Sequence, residues 1–350
     1  FRTGGEERGA REEAELDHLT RETEDRLGWI AERLDIEVSV GAPVRIEKVV
    51  ALHTSRDRAS SEAELEARHL ADRAESFEVL LGKHREAWRH LWQSFDLELD
   101  VEGNAEEADA QGKLRLHTFH LLQVVSPHSV DLDVGVPARG WHGEAYRGHV
   151  FWDELFIFPL LSLRMPFLTR ALLQYRVRRL PEARRAAREA GFRGAMFPWQ
   201  SGSNGREESQ KLHLNPKSGR WIPDDSHRQR HIGAAIAYNA WHHYEVTGDH
   251  DFLYFSGAEL ILEIARFWAS AARYDERLDR YEISGVMGPD EYHTAYPDVD
   301  PQEQGGLDNN AYTNVMAAWV LERARDVLDI LPEDRCHELC ERLEIAEEEV

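Results

Sequence analysis

The sequence is short of cysteine, of net positive charge and of long apolar runs, and each shortage removes a class of protein. Its two cysteines, Cys336 and Cys340, stand four residues apart near the C-terminus. On a helix they share a face, and with no companion Cys or His cluster they complete no zinc pattern, so two packing thiols in a reducing compartment are expected. Sixty-five acidic residues against 42 basic ones leave a net charge of -23, which argues against a broad nucleic-acid or anionic-membrane surface. A basic pocket inside an acidic shell is still compatible with that total. No apolar run approaches the roughly 18 to 20 residues that span a bilayer. The polar opening "FRTGGEERGAREEAE" does not read as a signal peptide, so a cytoplasmic location is expected. An initiating Met is also missing, and the chain is expected to be an internal piece of a longer protein.

What is present suits a folded enzyme. A chain of 350 residues, 42% hydrophobic and with ten tryptophans, is long enough for one large domain or about two ordinary ones. Three textures follow one another. Residues 36 to 55, "IEVSVGAPVRIEKVVALHTS", are rich in β-branched side chains and broken by Gly41-Ala42-Pro43, which predicts two strands around a turn. Two strands alone are marginal, so they are expected to belong to a larger sheet. From about 60 to 96 the pattern is helical, with Leu80, His84, Trp88, Leu91, Trp92 and Phe95 at steps of three or four. "DVEGNAEEADAQG" (100 to 112) then reads as an acidic loop.

Beyond 112 the chain reads as helices separated by long polar loops. Ser256 and Glu259 have capping-box spacing ahead of "LILEIARFWASA", a segment around 229 to 246 stops at Gly248, and "NAYTNVMAAWVLERARDVLDIL" makes a third helix, with Asp308 or Asn309 as its expected cap. No comparable strand signal appears, which predicts an all-α domain. Two loops, about 197 to 227 and 284 to 308, exceed the ordinary length and carry Trp199, Trp221, Tyr292 and Tyr296, so ordered functional loops are expected.

Four constellations carry candidate chemistry. In "GEAYRGHVFWDELFIFPLL" (143 to 161), Tyr146, Arg147 and His149 precede Trp152, Asp153 and Glu154. An aromatic ring beside a carboxylate suits a sugar, the ring stacking on C–H faces and the acid accepting hydroxyl hydrogen bonds. The plainer alternative is a helix start with acids at the positive end of the dipole, and the two are compatible. "FPWQSGSNGREESQ" (197 to 210) is an aromatic followed by polar groups on a Gly-rich loop, too badly spaced for a phosphate cradle. In "PDDSHRQRHIGAAIAYNAWHH", His227 and His231 would stand one turn apart on a helix, but no third metal ligand is evident. The last is "ISGVMGPDEYHTAYPD" (283 to 298), where Asp290 and Glu291 follow Gly288-Pro289 and precede Tyr292 and His293. A carboxylic acid whose pKa is raised by aromatic neighbours and a like charge can protonate a glycosidic oxygen, which makes Glu291 the leading candidate for a general acid.

Together "GEAYRGHVFWDE" and "GPDEYH…DNNAYTN" resemble glycoside hydrolase family 65, over about residues 36 to 330. The resemblance implies a mainly α fold: the last strands of an N-terminal β-sandwich (1 to 56), a helical linker (57 to 111) and a C-terminally truncated (α/α)6 barrel (112 to 350). It implies Glu291 as general acid and Trp152 and Asp153 as holders of the cleaved glucose, with Tyr146, Arg147, His149, Asp290, Tyr292 and His293 shaping the pocket. The implied reaction is inverting cleavage of an α-linked glucose disaccharide of trehalose, maltose or kojibiose type by phosphate, with no cofactor and no metal. Implied partners are the disaccharide and inorganic phosphate, with neither nucleic acid nor membrane, and a homodimer is a possible state. Inverting hydrolysis (trehalase-like) and non-catalytic carbohydrate binding stay open as alternatives. Two departures stand out: many members read "FWDTE" where this chain has "FWDEL", and the family's phosphate-binding residues fall beyond position 350.

Overall fold

The computed structural model describes residues 2–4, 19–41, 43–99, 105–140, 145–289, 294–297, 299 and 305–346. The chain divides into two compact units, Phe1–Trp92 and Gln93–Val350. In the first, β2 (Leu19–Arg26) and β3 (Trp29–Ile36) form an antiparallel hairpin, and β1 (Arg2–Gly4) pairs with β4 (Arg45–Glu47). The expected strands on either side of residues 41 to 43 are thus corrected: β3 has already ended at Ile36, and only three residues after the turn are strand. The true hairpin, "LTRETEDRLGWIAERLDI", alternates charges rather than β-branched residues, which hid it. Helices α1 (Ala63–Asp72) and α2 (Phe77–Phe95) match the helical pattern read from 60 to 96.

In the second unit, α3 (Ala105–Val124) begins inside the stretch expected to be an acidic loop. Its Ala, Glu and Gln are good helix formers, and the charge density concealed that propensity. The helices α4 (Glu154–Arg164), α5 (Pro166–Val177), α6 (Leu180–Glu189) and α7 (Ile232–Thr247) follow, then the single turn α8 (His250–Phe252), α9 (Ala258–Ala271), α10 (Ala311–Ile330) and α11 (Glu333–Leu343). This is the mainly α architecture expected.

Helix α7 is the hub, packing against α4, α5, α9 and α10. Its sequence "IGAAIAYNAW" is apolar or small on nearly every side, which is how a helix with no solvent face reads. It ends where expected, at Gly248 with φ of 65°. The capping box expected for α9 is absent. Asp249 caps the preceding turn instead, accepting from the Phe252 amide at 2.9 Å, and a π-helical turn (Leu253–Gly257) carries the chain into α9. Ser256 takes a hydrogen bond from Gln174 at 3.1 Å.

Two short hairpins were not expected, β5–β6 (Leu212–Asn215 with Arg220–Pro223) and β7–β8 (Arg273–Asp275 with Arg280–Glu282). Both lie in polar segments where turn chemistry, such as Asn215 accepting from the Lys217 and Ser218 amides, decides the geometry. Cys336 and Cys340 are free thiols on α11. Among the described residues no helix is long and apolar enough to cross a membrane.

Candidate active site

Three helices of the second unit begin side by side. Asp153 sits at the start of α4, His231 at the start of α7 and Asn310 at the start of α10, and α7 packs against both of the others. Their ends are tied by aromatic rings. Trp152 meets His231 at 5.0 Å between centroids, Trp199 at 5.8 Å and Tyr312 at 6.4 Å. His231 in turn meets Trp199 at 5.2 Å and Tyr312 at 5.6 Å. Four segments distant in sequence thus converge on one cluster, which Phe151 and Tyr146 extend outward.

Local chemistry fixes each contributor. Val150 exchanges two backbone hydrogen bonds with Ser201 (3.0 and 2.9 Å), so "HVFW" runs extended beside "QSG". The Glu207 carboxylate accepts from the Trp199 and Gln200 amides at 2.8 and 3.1 Å and holds the second segment in place. The Gln200 amide group donates to His149 Nδ1 at 2.7 Å. For α10, the expected cap at Asp308 or Asn309 is corrected: Asn310 accepts from the Thr313 amide at 3.0 Å, while Asn309 adopts a left-handed backbone and bonds Ile283 and Glu282.

The sequence-predicted residues divide cleanly. Trp152 lies in the ring cluster. Asp153 is half-buried beside it, its side chain makes no cap hydrogen bond, and burial pushes its carboxyl up from the ordinary value. Tyr146 is exposed and packs edge-on to Phe151, and Arg147 donates to the Glu208 carbonyl at 3.1 Å. His149 is half-buried, and burial, then the Arg147 charge, holds its ring below the usual histidine range. Asp290, Glu291, Tyr292 and His293 lie outside the described residues. The stem of their loop is described, however. Val286 pairs with Leu307, Met287 donates to the Arg228 carbonyl at 3.0 Å, and Gly285 and Gly306, both at positive φ, approach so closely that a Cβ on Gly306 would strike Gly285.

Glu154, next to the expected sugar-binding pair, belongs to the core. It is 2% exposed and receives bonds from Arg176 Nε and Nη2 at 3.2 and 3.1 Å and from the Val136 amide at 3.1 Å. Burial pushes its carboxyl up and Arg176 opposes that. Gly135 has no room for a side chain, since its Cβ would stand 2.7 Å from Glu154 Oε1.

His227 and His231 are not one turn apart on a helix. His227 lies in a 3-10 turn (Ser226–Arg228) and His231 marks the start of α7. His231 is fully buried, and burial lowers its pKa to about 4. The Met287 main chain favours the charged ring in part, yet no hydrogen bond of ordinary geometry reaches either nitrogen. Sequence reasoning missed Tyr312 and the role of His231 in this cluster. The one available signal was an aromatic in the first turn after the Asn-rich "DNN".

Comparison with known proteins identifies the neighbourhood. Residues 115–350 match the glycosyl hydrolase family 65 central catalytic domain, and residues 4–91 match the N-terminal domain of the same family. An uncharacterized glycosyl hydrolase of Mycobacterium tuberculosis is 54% identical over 90% of this chain and 23% of its own length. The trehalose 6-phosphate phosphorylase of Lactococcus lactis is 38% identical over 83% of this chain and 36% of its own. The kojibiose phosphorylase of Halothermothrix orenii is 37% identical over 86% and 38%. The chain therefore spans between 23% and 38% of the length of these relatives. A solved structure assigned provisionally as a kojibiose phosphorylase from the human microbiome superposes with a TM-score of 0.64 at 23% identity, covering 82% of this chain and 34% of its own.

Proposed function

This chain belongs to glycosyl hydrolase family 65, and on that premise we propose that the complete protein cleaves an α-linked glucose disaccharide by phosphorolysis with inversion. The products are β-glucose 1-phosphate and a free sugar. The observation that carries the reading is the junction of Trp152 and Asp153 with the rings of Trp199, His231 and Tyr312 at three helix starts. A pyranose has apolar C–H faces and a polar hydroxyl rim, and here an aromatic wall stands beside a carboxylate with no cap bond to satisfy. Relatives named for kojibiose and trehalose 6-phosphate phosphorolysis support the same reaction class.

In this reading Trp152 stacks on the glucose that is cleaved and Asp153 accepts its hydroxyl protons. Tyr146, Arg147 and His149 form the outer rim, and Asp290, Tyr292 and His293 flank the acid. Glu291 protonates the leaving oxygen while phosphate attacks the anomeric carbon from the opposite face. No protein base is called for, because phosphate is already a competent nucleophile, and no cofactor or metal enters. The loop bearing Glu291 leaves from a stem tied to Arg228, three residues from His231, which supports its place at the same mouth. We place the reaction in the cytoplasm.

The test uses the complete protein with trehalose, maltose and kojibiose, each with and without inorganic phosphate, followed by NMR. Phosphate-dependent β-glucose 1-phosphate is the expected product. Free β-glucose formed without phosphate would replace the reading with inverting hydrolysis, which needs a second carboxylate about 6.5 to 9.5 Å from the first. Glu291→Gln is expected to lower turnover by ~10²–10⁴, the usual contribution of a general acid. Retention of most activity would remove Glu291 from that role.

A further inference from the structure

The connection between β8 and α10 runs from residue 283 to 310, well beyond the ordinary length of a link, and it folds back on its own stem. Its outgoing arm is fixed at Val286, which exchanges backbone hydrogen bonds with Leu307 at 3.1 and 2.6 Å, and at Met287, whose amide donates to the Arg228 carbonyl at 3.0 Å. Its returning arm is fixed by Tyr296. That one phenol oxygen donates to the Asp308 carbonyl at 3.0 Å and accepts from the Asp308 amide at 3.1 Å. Among the described residues the other bond from this arm to the stem is main chain, the Gly306 amide donating to the Thr294 carbonyl at 2.6 Å. Residues 288 to 295 separate Met287 from Tyr296, and Glu291 is among them.

Asp308 is a firm anchor for this tie. Its side chain accepts from the Gly285 amide at 3.3 Å, the next residue, Asn309, bonds Ile283 through both amide and side chain, and Asn310 caps α10. The second residue of that helix is Tyr312, which joins the ring cluster with Trp152 and His231. Tyr296 itself is 41% exposed, so it is no core residue held by burial. An exposed hydroxyl finds water wherever it points, and giving both of its bonds to the main chain of one residue adds little to stability. What such an arrangement fixes is the path of the chain.

We infer that Tyr296 is a positioning residue for the general acid: by tying the returning arm to the base of α10, it confines the segment that carries Glu291 to the mouth of the ring cluster. The inference rests on the role of Glu291 proposed above. Its physical content is preorganisation. A segment closed at both ends has fewer arrangements to lose when a carboxyl must meet a glycosidic oxygen. Precision matters there, because a misplacement of about 1 Å costs on the order of 10²-fold in rate. Tyr296 acts through the chain and has no need to touch the sugar.

The test uses the complete protein and reads two quantities. The first is backbone hydrogen exchange across residues 285–308, which depends on no reaction. Tyr296→Phe should raise exchange there and leave peptides from α7 and α9 as in the wild type. The second is a double-mutant cycle with Glu291→Gln, with kcat and KM measured on whichever of trehalose, maltose and kojibiose is cleaved fastest. In the wild-type background Tyr296→Phe should lower kcat about tenfold, the order expected for two modest hydrogen bonds lost from one atom, with KM changed less than about twofold. In the Glu291→Gln background it should have no further effect, because a glutamine protonates nothing wherever it sits. Tyr296→Ala should match Tyr296→Phe, since the hydroxyl carries the role. A tenfold loss in both backgrounds would overturn the proposal, as the mark of a residue that does not act through Glu291. So would full activity of Tyr296→Phe beside an impaired Tyr296→Ala, which would assign the effect to ring packing. Raised exchange together with a fully active Glu291→Gln would leave the tether standing and overturn the assignment of the acid instead.

Discussion

Two regions of the second unit, the α6–α9–α11 face and the start of α7, treat their polar groups in opposite ways. On the first, Arg184 reaches both Glu263 and Glu259, Arg342 shares Glu259 at 2.8 Å, and Arg266 takes Glu263 at 2.8 Å and the Leu343 carbonyl at 2.9 Å. Two carboxylates serve three guanidinium groups, and three helices are stitched together. At the start of α7, Gln229 Oε1 and both ring nitrogens of His231 are buried and unsatisfied against a wall of rings. The first pattern is what folding stability selects. The second lowers stability, and a protein keeps such a cost where a ligand repays it.

The Glu154–Arg176 pair tests the divide most sharply, because it lies directly behind the mouth yet its charges are matched to each other, Arg176 Nε and Nη2 both reaching Glu154. If it belongs with the structural region, Arg176→Met should destabilise the unit by about 3–5 kcal/mol, the cost of stranding a buried carboxylate, and shift the urea midpoint to match. Unchanged stability with lost activity would move Glu154 into the site instead. Next in size is His231→Phe. The folded ring titrates at about 4 against an ordinary 6.5, so above pH 6.5 it is neutral in both states and contributes no pH dependence. As pH falls from 6.5 toward 4 the unfolded chain takes up the proton first, and stability is lost. The phenylalanine variant should remove roughly 2 kcal/mol of the loss between pH 7 and pH 5, read from urea melts at the two pH values. A wild-type protein whose stability is flat across that window would mean that His231 finds a partner.

The same divide marks what was legible in the sequence. Trp152 and Asp153 could be named because "HVFWDE" keeps them adjacent in the chain, and α7 could be named because its apolar residues and Gly248 are local signals. The start of α3 was lost because "NAEEADAQG" reads as charge before it reads as helix propensity. The cap at Ser256 was wrong because Asp249, seven residues earlier, starts the turn, and a π-helical insertion shifts the register that the capping box assumed. The Gln229 carbonyl oxygen and the His231 ring were invisible in another sense. Their residue types were plain, but having no partner is a property of tertiary packing, and no spacing rule reports it. Tyr312 joins Trp152 only because α4, α7 and α10 begin at the same place.

Smaller effects sharpen the contrast further. Asp153→Asn keeps the shape and removes the charge, and in the complete enzyme it should lower kcat/KM by ~10- to 100-fold, the worth of one hydrogen bond to a charged group, with little change in melting temperature. The smallest expected effect belongs to the saturated side. Burial alone would raise the Glu259 carboxyl, but the bonds from Arg342 and Arg184 bring it below its ordinary 4.5. A carboxyl depressed in the folded state contributes stability that is complete above 4.5 and is lost as pH falls through the folded value. Glu259→Gln should therefore cost about 1 kcal/mol at pH 7 and flatten the acid limb only below 4.5. The two regions then differ in where they begin to weaken, the mouth as pH falls through 6.5 and the ion network only below 4.5. A Glu259→Gln variant that changed the profile above pH 5 would show the two regions to be coupled, and the division drawn between them would fail.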